Sequence, residues 1–393
     1  MTIDLDKLVQ EMTDWRRDLH AHPEFGFEEM RTSAFVASKL REFGLDDVTE
    51  GVGGTGVVGT LKRGSGNRAI ALRADMDALR IPEQSEFSHR SGNPGVMHAC
   101  GHDGHTTMLL GAAKLLAEEG GFDGTVRFVF QPAEEWGRGA LAMLDDGLME
   151  RFPFEEIYGL HNAPKLPVGR FQTRTGPIMS AEDNFEIVLT GVGGHAARPH
   201  VGNETLVAAC ALVTSLQTIV SRRLDITKEP SVVTVGAIHG GNRDNIIPDD
   251  VMMLGTIRAF DEEQRNEIHA HVKHITEMIA AAGGARARVE IRRGYDVTVN
   301  HPALTEWAIP TIERIAGNAN VGVIDKVCGA EDFSFFQKEV PGLFWRLGCT
   351  PPATAIKDSA PGHSPRFYLD EDCLKLGVKV QCALALDWLS ANK

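Results

Sequence analysis

The sequence predicts an α/β protein: a discontinuous main domain of alternating strands and helices, interrupted by a smaller inserted α+β domain of ferredoxin-like order. Three observations predict it. The 393 residues are too many for one comfortable core. The first part of the chain alternates short apolar runs with amphipathic ones, the texture of a sheet with helices on both faces. The texture then changes to β-α-β-β-α-β over about 110 residues, the order of a split βαβ unit, before the first texture resumes. The segments fall at 1–180, 181–295 and 296–393.

Residues 4–20 and 28–43 carry helical periodicity on either side of the turn-like AHPEFGF. GVVGTL (56–61) and AIALRAD (69–75) have strand length and composition, and HTTMLLGAAKLLAEEG fits a helix. TVRFVFQ (125–131) is almost continuously apolar, as buried parallel strands tend to be, and EIYGLHN (156–162) follows suit. GVGGTG (51–56) matches G-x-G-x-x-G. It follows DDVTE rather than an apolar strand, however, and a strand comes next where a dinucleotide site needs a helix, so it reads as a turn. From Ala181 onward, NFEIVLTGVG alternates like a half-exposed strand and ETLVAACALVTSLQTIVSRRL is a long helix. SVVTVGAIHGG and VMMLGTIRAF are strands, DEEQRNEIHAHVKHITEMIAAAGG is a helix closed by glycines, and ARVEIRRGY is a strand. The histidines of EIHAHVKH (267–274) lie on a charged helix and read as solvated. The chain ends in the helix EDCLKLGVKVQCALALDWL. No internal repeat or low-complexity tract interrupts it.

Composition excludes several function classes. Lys and Arg total 40 against 54 Asp and Glu, a formal charge of -14, which repels phosphate backbones and anionic lipid heads. Neither nucleic acid nor membrane is expected as a partner. The start, MTIDLDKLVQEMTDWRR, is acidic and amphipathic, unlike a secretory signal, and no apolar run reaches spanning length. Six cysteines scattered without paired spacing point to reduced thiols and a cytoplasmic location.

Four segments carry chemistry, each near the end of an expected strand or in a connecting loop, where open α/β sheets place their sites. They are HACGHDGH (98–105), PAEE (132–135), GLHN (159–162) and PGHSP (361–365). Together they offer thiol, imidazole and carboxylate groups, the ligands of zinc-like divalent ions. Singly, each has a plain structural reading: a lone histidine at a strand end is ordinarily a hydrogen-bonded core residue, and a Glu-Glu pair a solvated helix start. The density of 98–105 sets it apart, and Cys100 and His102 at i, i+2 can be turned toward one point by a loop. Glu134 and Glu135 follow an apolar strand and a proline. In extended backbone they would face opposite ways, one toward metal and the other toward substrate as a proton shuttle.

ADMDAL, MHACGHDGHT, QPAEE, GLHN, GGHAARPH, NIIP, IRAF, GAEDFSF and GHSPRF occur in the order seen in the M20 metallopeptidases. The chain resembles their amidohydrolase branch over nearly its whole length, the branch of hippurate hydrolases, N-acyl-amino-acid deacylases and plant auxin-conjugate hydrolases. The resemblance implies a metal-binding α/β domain with an inserted ferredoxin-like dimerisation domain. It further implies two divalent ions held by Cys100, His102, Glu135, His161 and His363, with Cys100 as a bridging ligand and Glu134 as general base. Other branches carry a ligating His-x-Asp motif, and here the matching stretch is Arg73-Ala74-Asp75. A guanidinium has no lone pair to give, so His102 takes over and Asp75 is implied to orient it. In the inserted domain the resemblance points to His195 as an oxyanion donor, reaching the partner's site, Asn245 as an amide donor and Arg258 as a carboxylate clamp.

The function implied is hydrolysis of N-acyl amino acids by a homodimer. A dipeptidase or aminoacylase of the same family and a catalytically silent metal-binding dimer are the rivals. Thiolate and imidazole favour zinc, and the carboxylates also admit manganese, cobalt or nickel. Arg198, in the loop after His195, is either a selector of acidic substrates or a solvated loop residue.

Overall fold

The computed structural model describes residues 4–391. Residues 1–3 and 392–393, at the outer limits of the first and last segments and of the stretch read as lacking a signal, lie outside them. The chain begins with α1 (Leu5–Ala21), capped by the Asp4 carboxylate, which accepts from the backbone N–H groups of Asp6 and Lys7. Next come α2 (Met30–Glu42), β1 (Asp47–Val52), β2 (Gly56–Arg63), β3 (Ala69–Asp75), α3 (His102–Glu119), β4 (Gly124–Gln131), α4 (Gly139–Asp145), α5 (Leu148–Arg151), β5 (Glu156–Pro167), β6 (Phe171–Thr173) and β7 (Gly176–Met179). The middle of the chain forms β8 (Ala181–Thr190), β9 (Gly194–His195), α6 (Thr205–Leu216), β10 (Ser231–Gly240), β11 (Ile246–Ile247), β12 (Asp250–Ala259), α7 (Glu262–Ala282) and β13 (Arg286–Arg293). It closes with β14 (Thr298–Asn300), α8 (Pro302–Ala316), β15 (Val321–Val323), α9 (Phe333–Glu339), β16 (Gly342–Thr350) and α10 (Leu374–Ala391).

Two compact units result. The larger joins Met1–Gly176, Val299–Asp325 and Asp332–Lys393, and the smaller joins Pro177–Thr298 and Lys326–Glu331. The chain therefore enters the smaller unit twice, the second time in a short segment that no change of composition marks.

The larger unit is built on a mixed sheet in the order β1-β2-β4-β3-β5-β16-β6-β15. β4 pairs in parallel with β3 and antiparallel with β2, so the expectation of a parallel strand holds on one side only. DVTE belongs to β1, an edge strand whose polar residues face solvent, which is why it lacks an apolar signature. The glycine run after it is the β1–β2 turn: Gly53 has φ +65°, and a Cβ there would lie 2.5 Å from the backbone of Met143. α3 is buried along almost its whole length, packed against β3, α1, α2 and α10, so apolar residues cover most of its middle from Met108 to Leu116 and its buried first turns carry polar side chains.

The smaller unit has an antiparallel sheet in the order β10-β12-β8-β13, with its first and third long strands central, the ferredoxin-like arrangement. α6 and α7 cover one face through Leu212, Leu216, Ile268 and Val272, packed on Ile187, Leu189, Val251 and Met253. The helix expected over 204–224 stops at Leu216 and gives way to a π-helical turn at Ile219–Arg223. His269 is not solvated: its Nε2 lies 2.6 Å from the buried carboxylate of Asp183, which also receives Arg265 Nε at 2.8 Å. Arg265 in turn reaches Asp296 at 2.6 Å. Arg265→Met is expected to cost about 3–5 kcal/mol, because it strands the buried Asp183 charge. Denaturant unfolding checks this, and a loss under about 1 kcal/mol would contradict it.

Candidate metal centre

The site gathers the turn that opens α3, the turn that follows β4 and the strand residue His161 of β5. Gly101, at φ +87°, turns the chain between Cys100 and His102, and a Cβ there would collide with the side chain of Asn162. His102 opens α3. In the loop before α10, His363 adopts φ 62° and its backbone N–H donates to Ala99 O at 2.8 Å, which ties this loop to the HACGHDGH turn. Glu134 and Glu135 do not sit in extended backbone as expected. Ala133, at φ 49°, leads into a single 3-10 turn over Glu134–Trp136. Both carboxylates thereby come to 4.0 Å from His102 Nε2.

The side chains form overlapping sets. Cys100, His102 and His161 can present ligand atoms within 4.8 Å of one another, as can Cys100, Glu135 and His363, and His102, Glu134 and Glu135. Cys100 Sγ lies 3.4 Å from His161 Nε2, and Glu135 Oε1 lies 3.2 Å from His363 Nε2. His102 Nε2 is buried with no hydrogen-bond partner. Such an orphaned atom is costly, and a cation beside it would satisfy its lone pair. The donor set therefore fits divalent metal.

The groups that brace these side chains differ from the expectation for Asp75. It is Asp77 that holds His102, with Oδ1 3.1 Å from Nδ1, while its Oδ2 accepts Glu135 N at 3.1 Å. Asp75 instead receives His105 Nδ1 at 2.6 Å and Arg73 Nη1 at 2.7 Å, and stands 3.8 Å from His102 Nε2. His105 passes the constraint on by accepting Asn162 N at 2.8 Å. Arg73 also donates to Gln131 at 2.8 Å and to Asp332 at 3.1 Å, a structural guanidinium. His161 Nδ1 donates to Asn162 O at 2.6 Å, leaving Nε2 turned toward Cys100. Glu29, a buried acid in the loop before α2, carries no sequence signal that would have singled it out. It accepts Ala133 N at 2.8 Å and Thr55 Oγ1 at 2.5 Å, holding the turn that carries Glu134, and burial pushes its carboxyl up to about 7. Asp77→Asn is expected to weaken metal binding by about 10- to 100-fold, measured by chelator competition; unchanged affinity would contradict its bracing role.

Without metal, protons occupy this cluster. Burial opposes charge on His102, but Asp75 and Cys100 outweigh it and its pKa lies well above the ordinary value. Hydrogen bonds to Cys100 and Glu135 raise His363 to about 10. Burial pushes the Cys100 thiol up and holds His161 well below its ordinary value. A metal needs the deprotonated forms, so at neutral pH binding displaces protons and acid competes with it. Between about pH 6.5 and 8.5 the affinity is expected to rise, by up to about tenfold per pH unit for each proton released. Calorimetry in buffers of different ionisation enthalpy reads the release directly, and a pH-independent affinity would contradict it.

His195, Asn245 and Arg258 all lie in the smaller unit. His195 is exposed on β9, opposite Ile246, and Ala196 N donates to Asn245 O at 3.1 Å, so the two residues are neighbours. His195 Nδ1 accepts Ala197 N at 3.1 Å, which leaves the ring proton on Nε2. Arg258 lies across the sheet from Glu182 and meets it at 2.6 Å, a carboxylate already in its grip. Arg198 is exposed.

The family model of Peptidase family M20/M25/M40 matches residues 71–387. Thermostable carboxypeptidase 2 of Saccharolobus solfataricus is 39% identical over 96% of this chain and 96% of its own. The hippurate hydrolase of Campylobacter jejuni is 39% identical over 82% of this chain and 83% of its own. The Bacillus subtilis YXEP protein, a dinuclear metal binding peptidase of the M20 family, superposes with TM-score 0.84 at 32% identity, covering 98% of this chain and 99% of that one. The chain belongs to Peptidase family M20/M25/M40, as a hydrolase of amide bonds that binds divalent metal.

Proposed function

We propose that the chain hydrolyses the amide bond of N-acyl amino acids of the hippurate or auxin-conjugate type, releasing a carboxylic acid and an amino acid. The observation that carries the reading is the overlap of the ligand sets around the orphaned His102 Nε2, with a second carboxylate in reach. In this proposal Cys100, His102, Glu135, His161 and His363 hold two ions, Cys100 being common to two sets. Bound divalent ions supply Lewis acidity and a water acidified toward neutral pKa. Glu134 would take a proton from the attacking water and return it to the leaving amine. Asp75 acts at one remove, fixing His105 beneath the ligands. His195 offers its Nε2–H to the developing oxyanion, Asn245 offers an amide, and Arg258 exchanges Glu182 for the substrate carboxylate. Zinc suits the thiolate and imidazoles best, with manganese, cobalt and nickel as alternatives.

The proposed assembly is a homodimer through the smaller unit. Support comes from β10, an open sheet edge, and from the outward face of α6, where Val207 is 63% exposed. Among the described residues no helix is long and apolar enough to cross a membrane, and all six cysteines are free, which supports the cytoplasmic reading. The carboxypeptidase relative favours a second reading, a peptide substrate. Metal-loaded protein should be incubated with benzoyl-glycine, other acyl amino acids and dipeptides, with released amine measured. Faster cleavage of the acyl amino acids is expected, whereas faster cleavage of dipeptides would overturn the substrate class.

A further inference from the structure

Arg346 lies in β16, whose alternation buries Trp345 and Leu347 in the core, at 1% and 0% exposure, and turns Phe344 and Arg346 to the opposite face. The register places Arg346 directly across from His161 on the neighbouring parallel strand, so the two share a face. Phe344 marks the same face, with its ring 6.2 Å from the ring of His161. Arg346 thus sits on the His161 side of the candidate metal centre, partly buried.

The three fully buried arginines are each held by two carboxylates: Arg16 by Asp103 and Glu371, Arg73 by Asp75 and Asp332, Arg265 by Asp183 and Asp296. Among the described residues the guanidinium of Arg346 has no such ion pair and no hydrogen bond. The groups near it that can bear negative charge are the thiols of Cys100 and Cys349. Burial pushes Cys349 up to about 12, so it is neutral, and Cys100 is committed to metal in the proposed centre. A guanidinium does not shed its charge. Partly buried and without a counter-ion, it is free to pair with an anion brought from outside.

We propose that Arg346 is a specificity residue that receives a second carboxylate of the substrate, so that the preferred substrates are dianionic: an N-acyl amino acid with an acidic side chain or a dicarboxylic acyl group. The proposal rests on the acyl-amino-acid reading of the site. Arg258 takes the α-carboxylate in that reading, which leaves Arg346 for the additional charge. Its planar fork matches a carboxylate with two parallel hydrogen bonds, whereas a methyl or amide group in the same place leaves the cation unpaired.

Matched pairs test this: N-acetylglutamate against N-acetylglutamine, and N-succinylalanine against N-butyrylalanine. In at least one pair, kcat/KM for the dianion is expected to exceed its partner by about 10- to 100-fold. Arg346→Gln should bring that ratio near one and Arg346→Lys should restore part of it, with metal content unaltered in both. No preference in either pair, or a ratio that survives Arg346→Gln, would overturn the proposal. Loss of metal in Arg346→Gln would also overturn it, marking Arg346 as a counter-charge of the centre. If no acyl amino acid of any kind is cleaved, the broader reading has failed, and calorimetry still isolates Arg346. N-succinylalanine should bind wild type at least about tenfold more tightly than Arg346→Gln, and equal affinities would reject the role.

Discussion

Glu134→Gln is expected to lower kcat by at least ~10²-fold while metal content stays at the wild-type level. Gln keeps the shape of the side chain and removes the group that takes a proton from water. The neighbouring variant should do the reverse. Glu135 lies beside His363, and its backbone is held by Asp77, so Glu135→Gln should shed metal first and lose turnover as a consequence. Because both carboxylates stand 4.0 Å from His102 Nε2, proximity to that atom does not separate the roles, and the paired variants do. Metal lost from Glu134→Gln and retained by Glu135→Gln would exchange the two assignments.

A comparable loss is expected for His195→Ala, since an oxyanion donor is typically worth ~10²–10³-fold in kcat. The informative form of this experiment mixes the His195→Ala and Glu134→Gln homodimers and lets subunits exchange. If His195 serves the partner's site, the His195→Ala subunit of a mixed dimer keeps its own Glu134 and receives His195 from its mate. That site is whole, and the other carries both lesions. Random exchange makes half the dimers mixed, so about a quarter of all sites should recover under two-fold pairing. If His195 serves its own subunit, each site carries one lesion and none recovers. Mass spectrometry of the mixture confirms exchange, and an exchanged mixture that stays inactive rejects the trans role.

The chemistry of the larger unit was legible wherever polar side chains crowd a short stretch. HACGHDGH stands out because three histidines, a cysteine and an aspartate crowd eight positions where the chain enters α3. The split βαβ order of the smaller unit was legible because half-exposed strands alternate and long amphipathic helices do not. Other features depend on contacts distant in sequence. Asp77 and Asp75 look alike in ADMDAL, and only the turn after β3 decides that Asp77 meets His102 and Asp75 meets His105. The left-handed Ala133 that puts Glu134 and Glu135 on one turn has no signature in residue type; Glu29 and the packing of the turn hold it there. His269 reads as one of several histidines on a charged helix until Asp183, far away in the chain, arrives beneath it. The Arg258–Glu182 pair likewise exists only through the register of β12 on β8.

Whether this chain is a two-ion amide hydrolase for acyl amino acids is tested most directly by a metal titration of the stripped protein. Zinc or manganese is added in increments, and bound metal and amine released from benzoyl-glycine are followed together. The expected result is no turnover in the stripped protein, a plateau of activity at two ions per subunit, and the same metal uptake without turnover in Glu134→Gln. Turnover that persists without metal, or two ions bound with no acyl amino acid cleaved, would contradict it.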